Sequence, residues 1–253
     1  MLLENIDGIV WLLLLIGPLL FLQRSLHREI QGVFLLITRR PEIALALFSL
    51  LFFPGVLLHE ASHFIMSRLL GVPTGRVSLL PRPLENGRLQ LGYVETGRTD
   101  ILRDALIGMA PLLAGGACVA FTGIRGLGLD TLWLSVFSGQ EVSVWNALRT
   151  ATERPDFWLW FYLTFVVSST MLPSASDRRA WLPFVLVFSL LLGIVLIAGA
   201  GPWLVEHLAP PLNIGLRALS AVFGISIVVH LLVLLPAWIL RKLISRITRL
   251  QVV

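Results

Sequence analysis

A chain of 253 residues that is 56% hydrophobic and 14% charged cannot hide its apolar surface in one soluble core. A mean hydropathy of +0.84 and long charge-poor runs predict a polytopic membrane protein and leave no room for a large extra soluble domain. The net charge of +5 is almost all arginine, with Lys242 the only lysine; arginines bordering apolar runs suit lipid headgroups, so the lipid bilayer is the expected partner and nucleic acid is not.

The first apolar run, residues 8–22, is read as a retained first span, because Glu4 and Asp7 stand where a cleaved signal would be basic. Residues 24–40 carry Leu26, Ile30, Val33, Phe34 and Ile37 at near-helical spacing among polar residues, which suits a helix lying in the membrane interface, with a partly inserted helix as the alternative. A second span covers residues 42–70, with a bend expected at Pro54-Gly55. Residues 71–104 are polar. Two strands, 76–80 and 88–95, are expected to flank Asn86-Gly87, a strong hairpin-turn signal, and Thr99 or Asp100 can cap the helix that follows.

The third span, residues 102–121, holds Gly108, Pro111 and Gly115-Gly116, small residues that let helices approach closely. Residues 122–156 are mixed. Their one strongly apolar run, 132–137, is too short to cross, and Trp133 and Trp145 suit the interface. Spans four, five and six are read at 157–172, 181–204 and 214–240, with a polar turn at 173–179 and a basic tail after the last. Cys118 is the single cysteine, so neither an internal disulfide nor a cysteine-based zinc site is available.

The expected fold is therefore an all-α polytopic membrane protein of about six transmembrane helices, with a small β-hairpin inserted after the second span. It divides into residues 1–41 (first span and interfacial helix), a core at 42–204, and a C-terminal span with its tail at 205–253. With the N-terminus in the cytoplasm, that side holds twelve of the twenty Lys and Arg residues, the basic tail included. The charge rule then favours both termini inside, with the polar centre of the second span nearer the cytoplasm.

That centre reads His59-Glu60-Ala61-Ser62-His63. Four residues apart on a helix, His59 and His63 project from one face and can share a zinc ion. Glu60 is then placed to take a proton from a zinc-bound water during attack on a peptide carbonyl. With five His and nine Glu in the chain, chance supplies only about 0.003 such matches. Placing these groups inside an apolar span is costly unless they have partners; helix-to-helix polar contact is the alternative use.

A catalytic zinc site uses three protein ligands. Counting crossings, span four ends on the side where span two ends. Asp177, just beyond it, is at the depth of the two histidines, whereas Asp156 and Glu206 fall opposite. An ion pair with Arg178 or Arg179 is the other use of Asp177, and His230, in the middle of span six, is the other candidate ligand.

An HExxH sequence within a membrane span, a strand-bearing insertion, a Gly-x-x-Pro span at 108–111 and a Pro173…Asp177 turn together resemble the site-2 protease family of intramembrane zinc proteases. The resemblance covers roughly residues 42–200. The family's Asn-x-x-Pro…Asp-Gly motif is met here by Ser or Thr in place of Asn, a shorter Pro-to-Asp spacing, and Arg178 in place of Gly, which makes the chain a divergent member. The resemblance implies zinc held by His59, His63 and Asp177, Glu60 as general base, and membrane-protein or signal-peptide-like helices as substrates. It points to the same orientation as the charge rule, and the lack of targeting signals and the compact loops suit a bacterial plasma membrane.

Strand 88–95, with Leu89, Leu91 and Tyr93, is a candidate edge for holding an unwound substrate by strand addition. A different class of function uses the same His pair for metal binding or transport without proteolysis. Transporters spread polar residues over several spans, whereas here they gather around one.

Overall fold

The computed structural model describes residues 7–79, 82–83, 89–129 and 144–250. Helix α1 (Asp7–Thr38) turns at Arg39-Arg40 into α2 (Pro41–Leu69). Pro41 opens α2, where a missing N–H costs nothing, and Pro54 sits inside α2 without ending it. Four short strands follow: β1 (Thr74–Ser78), β2 (Arg82–Pro83), β3 (Leu89–Gln90) and β4 (Tyr93–Thr96). They nest as one antiparallel hairpin in two ladders, with Val77 opposite Val94, Ser78 opposite Tyr93 and Pro83 opposite Leu89. The Asn86-Gly87 turn lies outside the described residues, as does the 132–137 run.

Asp100 caps α3 (Ile101–Phe121), accepting the Arg103 N–H at 3.0 Å. A π-helical turn, Thr122–Gly126, prolongs it. After α4 (Val144–Thr152) come α5 (Phe157–Thr170), α6 (Trp181–Val195), a second π-helical turn (Leu196–Ala200), α7 (Gly201–His207) and α8 (Ala209–Thr248). The protein is thus an all-α polytopic membrane protein with a small hairpin. Among the described residues, five stretches are long and apolar enough to cross: α1, α2, Ile101–Gly126, Trp181–His207 and α8.

Helix α5 has only 14 residues, about 21 Å. It is shorter than a bilayer core but runs through the middle of the bundle, with residues 164–169 all buried. Phe52 of α2 packs on Phe165 at 5.4 Å, and Leu19, Leu26, Phe48, Val119, Val166 and Phe223 complete the core around them.

Two expectations are corrected. The interfacial helix at 24–40 does not exist as a separate element, because α1 runs unbroken through it. Leu26, Glu29, Ile30, Val33 and Leu36 are buried there, and Glu29 pairs with Arg241 of α8, so the polar pattern is a helix contact rather than a lipid one.

The second correction concerns direction. Gly8 N–H donates to Asn213 Oδ1 (2.8 Å) and Asp7 pairs with Arg217, while Gly32 and Glu29 meet Arg241. Helices α1 and α8 are therefore parallel, and six simple crossings would make them antiparallel. The stretch Trp181–His207 accounts for the difference. It leaves from beside Gly108, breaks at Gly199 (φ 88°), where only glycine is unstrained, and delivers the chain to the Asp7 end of the bundle. The basic tail then shares a side with Arg39 and Arg40 instead of with the N-terminus. The charge bias that favoured both termini inside disappears with it.

In a Cys118→Ser background, Arg40→Cys and Arg249→Cys are expected to react with an impermeant thiol reagent from one side of sealed vesicles, and Leu208→Cys from the other. Labelling of Arg40→Cys and Leu208→Cys from the same side would mean six plain crossings.

Candidate metal centre

His59 and His63 stand on one face of α2, roughly 15 and 9 Å before its C-terminal end. Each imidazole is oriented by a backbone carbonyl of a neighbouring helix. His59 Nδ1 lies 2.7 Å from Thr170 O at the end of α5, and His63 Nδ1 lies 2.9 Å from Ile107 O in α3. A carbonyl only accepts, so both Nδ1 atoms carry the proton and both Nε2 atoms present lone pairs.

Those lone pairs converge, with the two Nε2 atoms 3.2 Å apart. Asp177 closes the triangle, Oδ2 at 3.5 Å from His59 Nε2 and Oδ1 at 3.2 Å from His63 Nε2. Three acceptors at these distances, in a site only 8–14% exposed, could hold a metal ion between them. Zinc bonds of about 2.0–2.1 Å in a tetrahedron put ligand atoms about 3.3 Å apart, and the triangle fits that edge. Among the described residues this is where His, Cys, Asp and Glu atoms gather closely enough to hold a metal ion.

Asp177 is held from three directions. Ser174 N–H donates to its Oδ2 at 2.7 Å, and Asp177 N–H donates back to Ser174 Oγ at 3.3 Å. Arg179 forms a two-pronged bond to Asp104 in the first turn of α3, 2.9 Å on each arm, and so pins the turn against that helix. Gly108 lets the turn approach: a Cβ there would lie 2.0 Å from Asp177 O. Burial pushes the Asp177 carboxyl up, but the two imidazoles and the Ser174 N–H outweigh it and hold the group well below the usual carboxylate range.

Glu60 is buried beside the triangle, and among the described residues no hydrogen bond holds its carboxylate. Leu91-Gly92, the joint between β3 and β4, passes directly over it. A methyl on Gly92 would come 2.8 Å from Glu60 Cγ and 2.9 Å from Oε1. Both groups open on a cavity of about 770 Å³ between α1, α2, α5 and the hairpin.

The sequence-predicted residues therefore meet. His59, Glu60, His63 and Asp177 form one centre, and Leu91 and Tyr93 line the same cavity. Leu89 pairs through its backbone with Pro83, and its side chain lies outside the described residues. His230 stands apart from the metal-binding group: Nδ1 is 2.6 Å from Ser226 O and Nε2 is 3.1 Å from Ser169 Oγ. Arg178 and Arg179 do not pair with Asp177; Arg178 donates to Ser174 O instead. Sequence reading did not find the Thr170 and Ile107 carbonyls or the position of Gly92 over Glu60. Backbone acceptors leave no mark in a sequence, and Gly92 looked like one residue of a strand. No family model, curated protein or solved structure matches the chain.

Gly108→Ala must displace backbone at Asp177. It is expected to lower the thermal midpoint and weaken metal binding by about tenfold or more in a competition titration. Gly193→Ala, which meets nothing within 4 Å, is expected to change neither.

Proposed function

We propose that the protein is a zinc-dependent intramembrane endopeptidase, resembling the site-2 protease family, that hydrolyses peptide bonds in or near membrane-spanning segments. The observation that carries this reading is the pair of oriented imidazoles facing a carboxylate, with an unbonded Glu60 carboxylate next to them inside an apolar helix. Metal storage or transport needs the three ligands but gives Glu60 no role.

His59, His63 and Asp177 would hold the ion. Zinc bound there supplies a Lewis acid that polarises a peptide carbonyl and lowers the pKa of water. Glu60 is the general base: it takes the proton of the attacking water and returns it to the leaving amide nitrogen. The bundle around α5 keeps the reacting groups out of lipid.

A helical substrate shields its own peptide bonds and has to be opened before attack. Strand β4 has β1 on one side and no other strand beside it among the described residues, and Leu91, Gly92, Tyr93 and Val94 face the cavity. An unwound segment added along this strand would lie across Glu60. The substrates are accordingly single membrane helices, signal-peptide remnants included. A bacterial plasma membrane is the location that goes with this reading.

Glu60→Gln is expected to lower cleavage of a model transmembrane substrate by roughly 10²–10⁴-fold while one zinc per chain remains bound. Cleavage that survives with zinc in place removes the mechanism, and a chain that binds zinc but never cleaves supports the transport reading. Asp177→Ala is expected to weaken zinc by about 100-fold or more in chelator competition, a loss larger than an outer-shell change gives.

Gly92→Ala displaces only the flexible end of Glu60. It is expected to lower kcat by about tenfold or more, with zinc content and thermal midpoint unchanged. An unaltered kcat would place the base elsewhere.

A further inference from the structure

The charges that line the catalytic cavity do not balance. Among the described residues, Arg24 of α1 and Arg178 and Arg179 of the turn after α5 face it, against the carboxylates of Glu60, Asp104 and Asp177. Arg179 is taken by Asp104, 2.9 Å on each arm. Asp177 faces the two imidazoles, and a divalent ion held there offsets both Asp177 and Glu60. The charges of Arg24 and Arg178 are then left over. Arg178 donates its Nε–H to Ser174 O, and among the described residues neither arginine has a carboxylate within ion-pair distance.

Arg24 is the less ordinary of the two. Residues 8–23, ahead of it on α1, carry no charge. An arginine that closes such a run is costly unless it meets a partner or a wet cavity. Its neighbour sets its level in the bundle. Gln23 Nε2 donates to Ser169 O at 2.6 Å, and the next residue, Thr170, offers its carbonyl to His59 Nδ1 at 2.7 Å. Arg24 therefore stands on the α1 wall at the His59 end of the metal centre, with its side chain exposed.

On the endopeptidase reading, on which this rests, we propose that Arg24, aided by the charge of Arg178, reads an acidic side chain of the substrate. The substrates are then membrane segments that carry Asp or Glu within about four extended residues of the scissile bond. A carboxylate in a membrane helix is costly in lipid. Beside Arg24 it gains a charge-assisted, two-pronged hydrogen bond in a cavity of low dielectric. The difference draws that segment out of lipid and into the cavity. A purely apolar helix has no such gain, so ordinary spans are spared. The other use of an exposed arginine at this place is contact with a lipid phosphate, which would be indifferent to the sequence of the substrate.

The test places Asp, Asn or Lys at successive positions of a model transmembrane peptide. At the best position kcat/KM for Asp is expected to exceed that for Asn by about tenfold. Arg24→Gln should bring that ratio close to one, Arg24→Lys should keep most of it, and Arg24→Glu should turn the preference to Lys at the same position. Arg28→Gln, one turn along α1 and outside the cavity lining, is expected to keep the preference for Asp. Should Arg24→Glu not fold, the Gln and Lys variants decide. Binding is read separately, as the dissociation constants of the Asp and Asn peptides on the full-length Glu60→Gln protein, with the same preference expected.

Asp and Asn peptides cleaved alike at every position overturn the acid-reading site and leave the endopeptidase standing. So does a preference for Asp that Arg24→Gln leaves intact, or a loss in that variant that falls equally on both peptides, as lipid contact would give. Binding that prefers Asp through Arg24, in a protein whose unaltered form cleaves no peptide, overturns the endopeptidase reading and leaves the acid-reading site standing.

Discussion

Two imidazole Nε2 atoms and a carboxylate converge to 3.2–3.5 Å inside the bundle, an arrangement that could hold a metal ion and that a positive charge between them would favour. The rest of the molecule can be derived from that constraint. The imidazoles present lone pairs only because Thr170 O and Ile107 O take their Nδ1 protons, so α5 and α3 must lie against α2 at those levels. Asp177 reaches them only because its turn is drawn onto α3 by Arg179 and Asp104, and because Gly108 offers no side chain in the way. Three helices and one turn are thus placed by the needs of one small polar triangle. The short helix α5 is the most central of them, joined to α2 again where the Tyr162 hydroxyl donates to Leu51 O.

A second set of polar contacts orders the outside of the bundle. Inside a membrane, apolar side chains discriminate poorly between helix partners, because lipid is as good a neighbour. Helices α1 and α8 are instead matched by polar pairs at both ends, Asp7 with Asn213 and Arg217, Glu29 with Arg241. Sliding or inverting α8 would leave those charges without partners, and the parallel arrangement is fixed by that penalty. It forces the apolar stretch 181–207 to return the chain to the end from which α1 starts, and the break at Gly199 is where a single straight crossing fails.

The sequence disclosed these features unevenly, for physical reasons. The His59, Glu60 and His63 cluster was legible because a helix converts a spacing of four into proximity without help from the rest of the fold. Asp177 was legible from the alternation of directions through spans two, three and four, which α2, α3 and α5 reproduce. The same alternation failed in the last third, because a broken apolar stretch has the composition of a straight one, and the charge-based orientation failed with it. Glu206 was set aside by that count. It is excluded instead by its absence from the metal-binding group among the described residues. The periodic pattern at 24–40 was read as an interfacial face because amphipathicity does not say whether the polar stripe meets headgroups or another helix's arginine. Carbonyl partners were beyond sequence reading altogether, since every residue has one.

Gly92 shows how the hairpin and the metal centre constrain each other. Glu60 can serve as a base only if its carboxylate is free of permanent partners, yet a free carboxylate in an apolar helix is costly and mobile. Contact with Gly92 limits its motion sterically without neutralising it, since a glycine brings no side chain and no charge. Gly92 leads directly into β4, the strand that lines the cavity, so on the proposed reading a segment aligned along β4 would pass Glu60 beside the backbone that restrains it. On the proposed endopeptidase reading, restraint of the base and alignment of the chain to be cut would not be separable in this fold. On that reading the hairpin's register, Ser78 opposite Tyr93, would matter to the chemistry, although among the described residues no strand residue belongs to the metal-binding group.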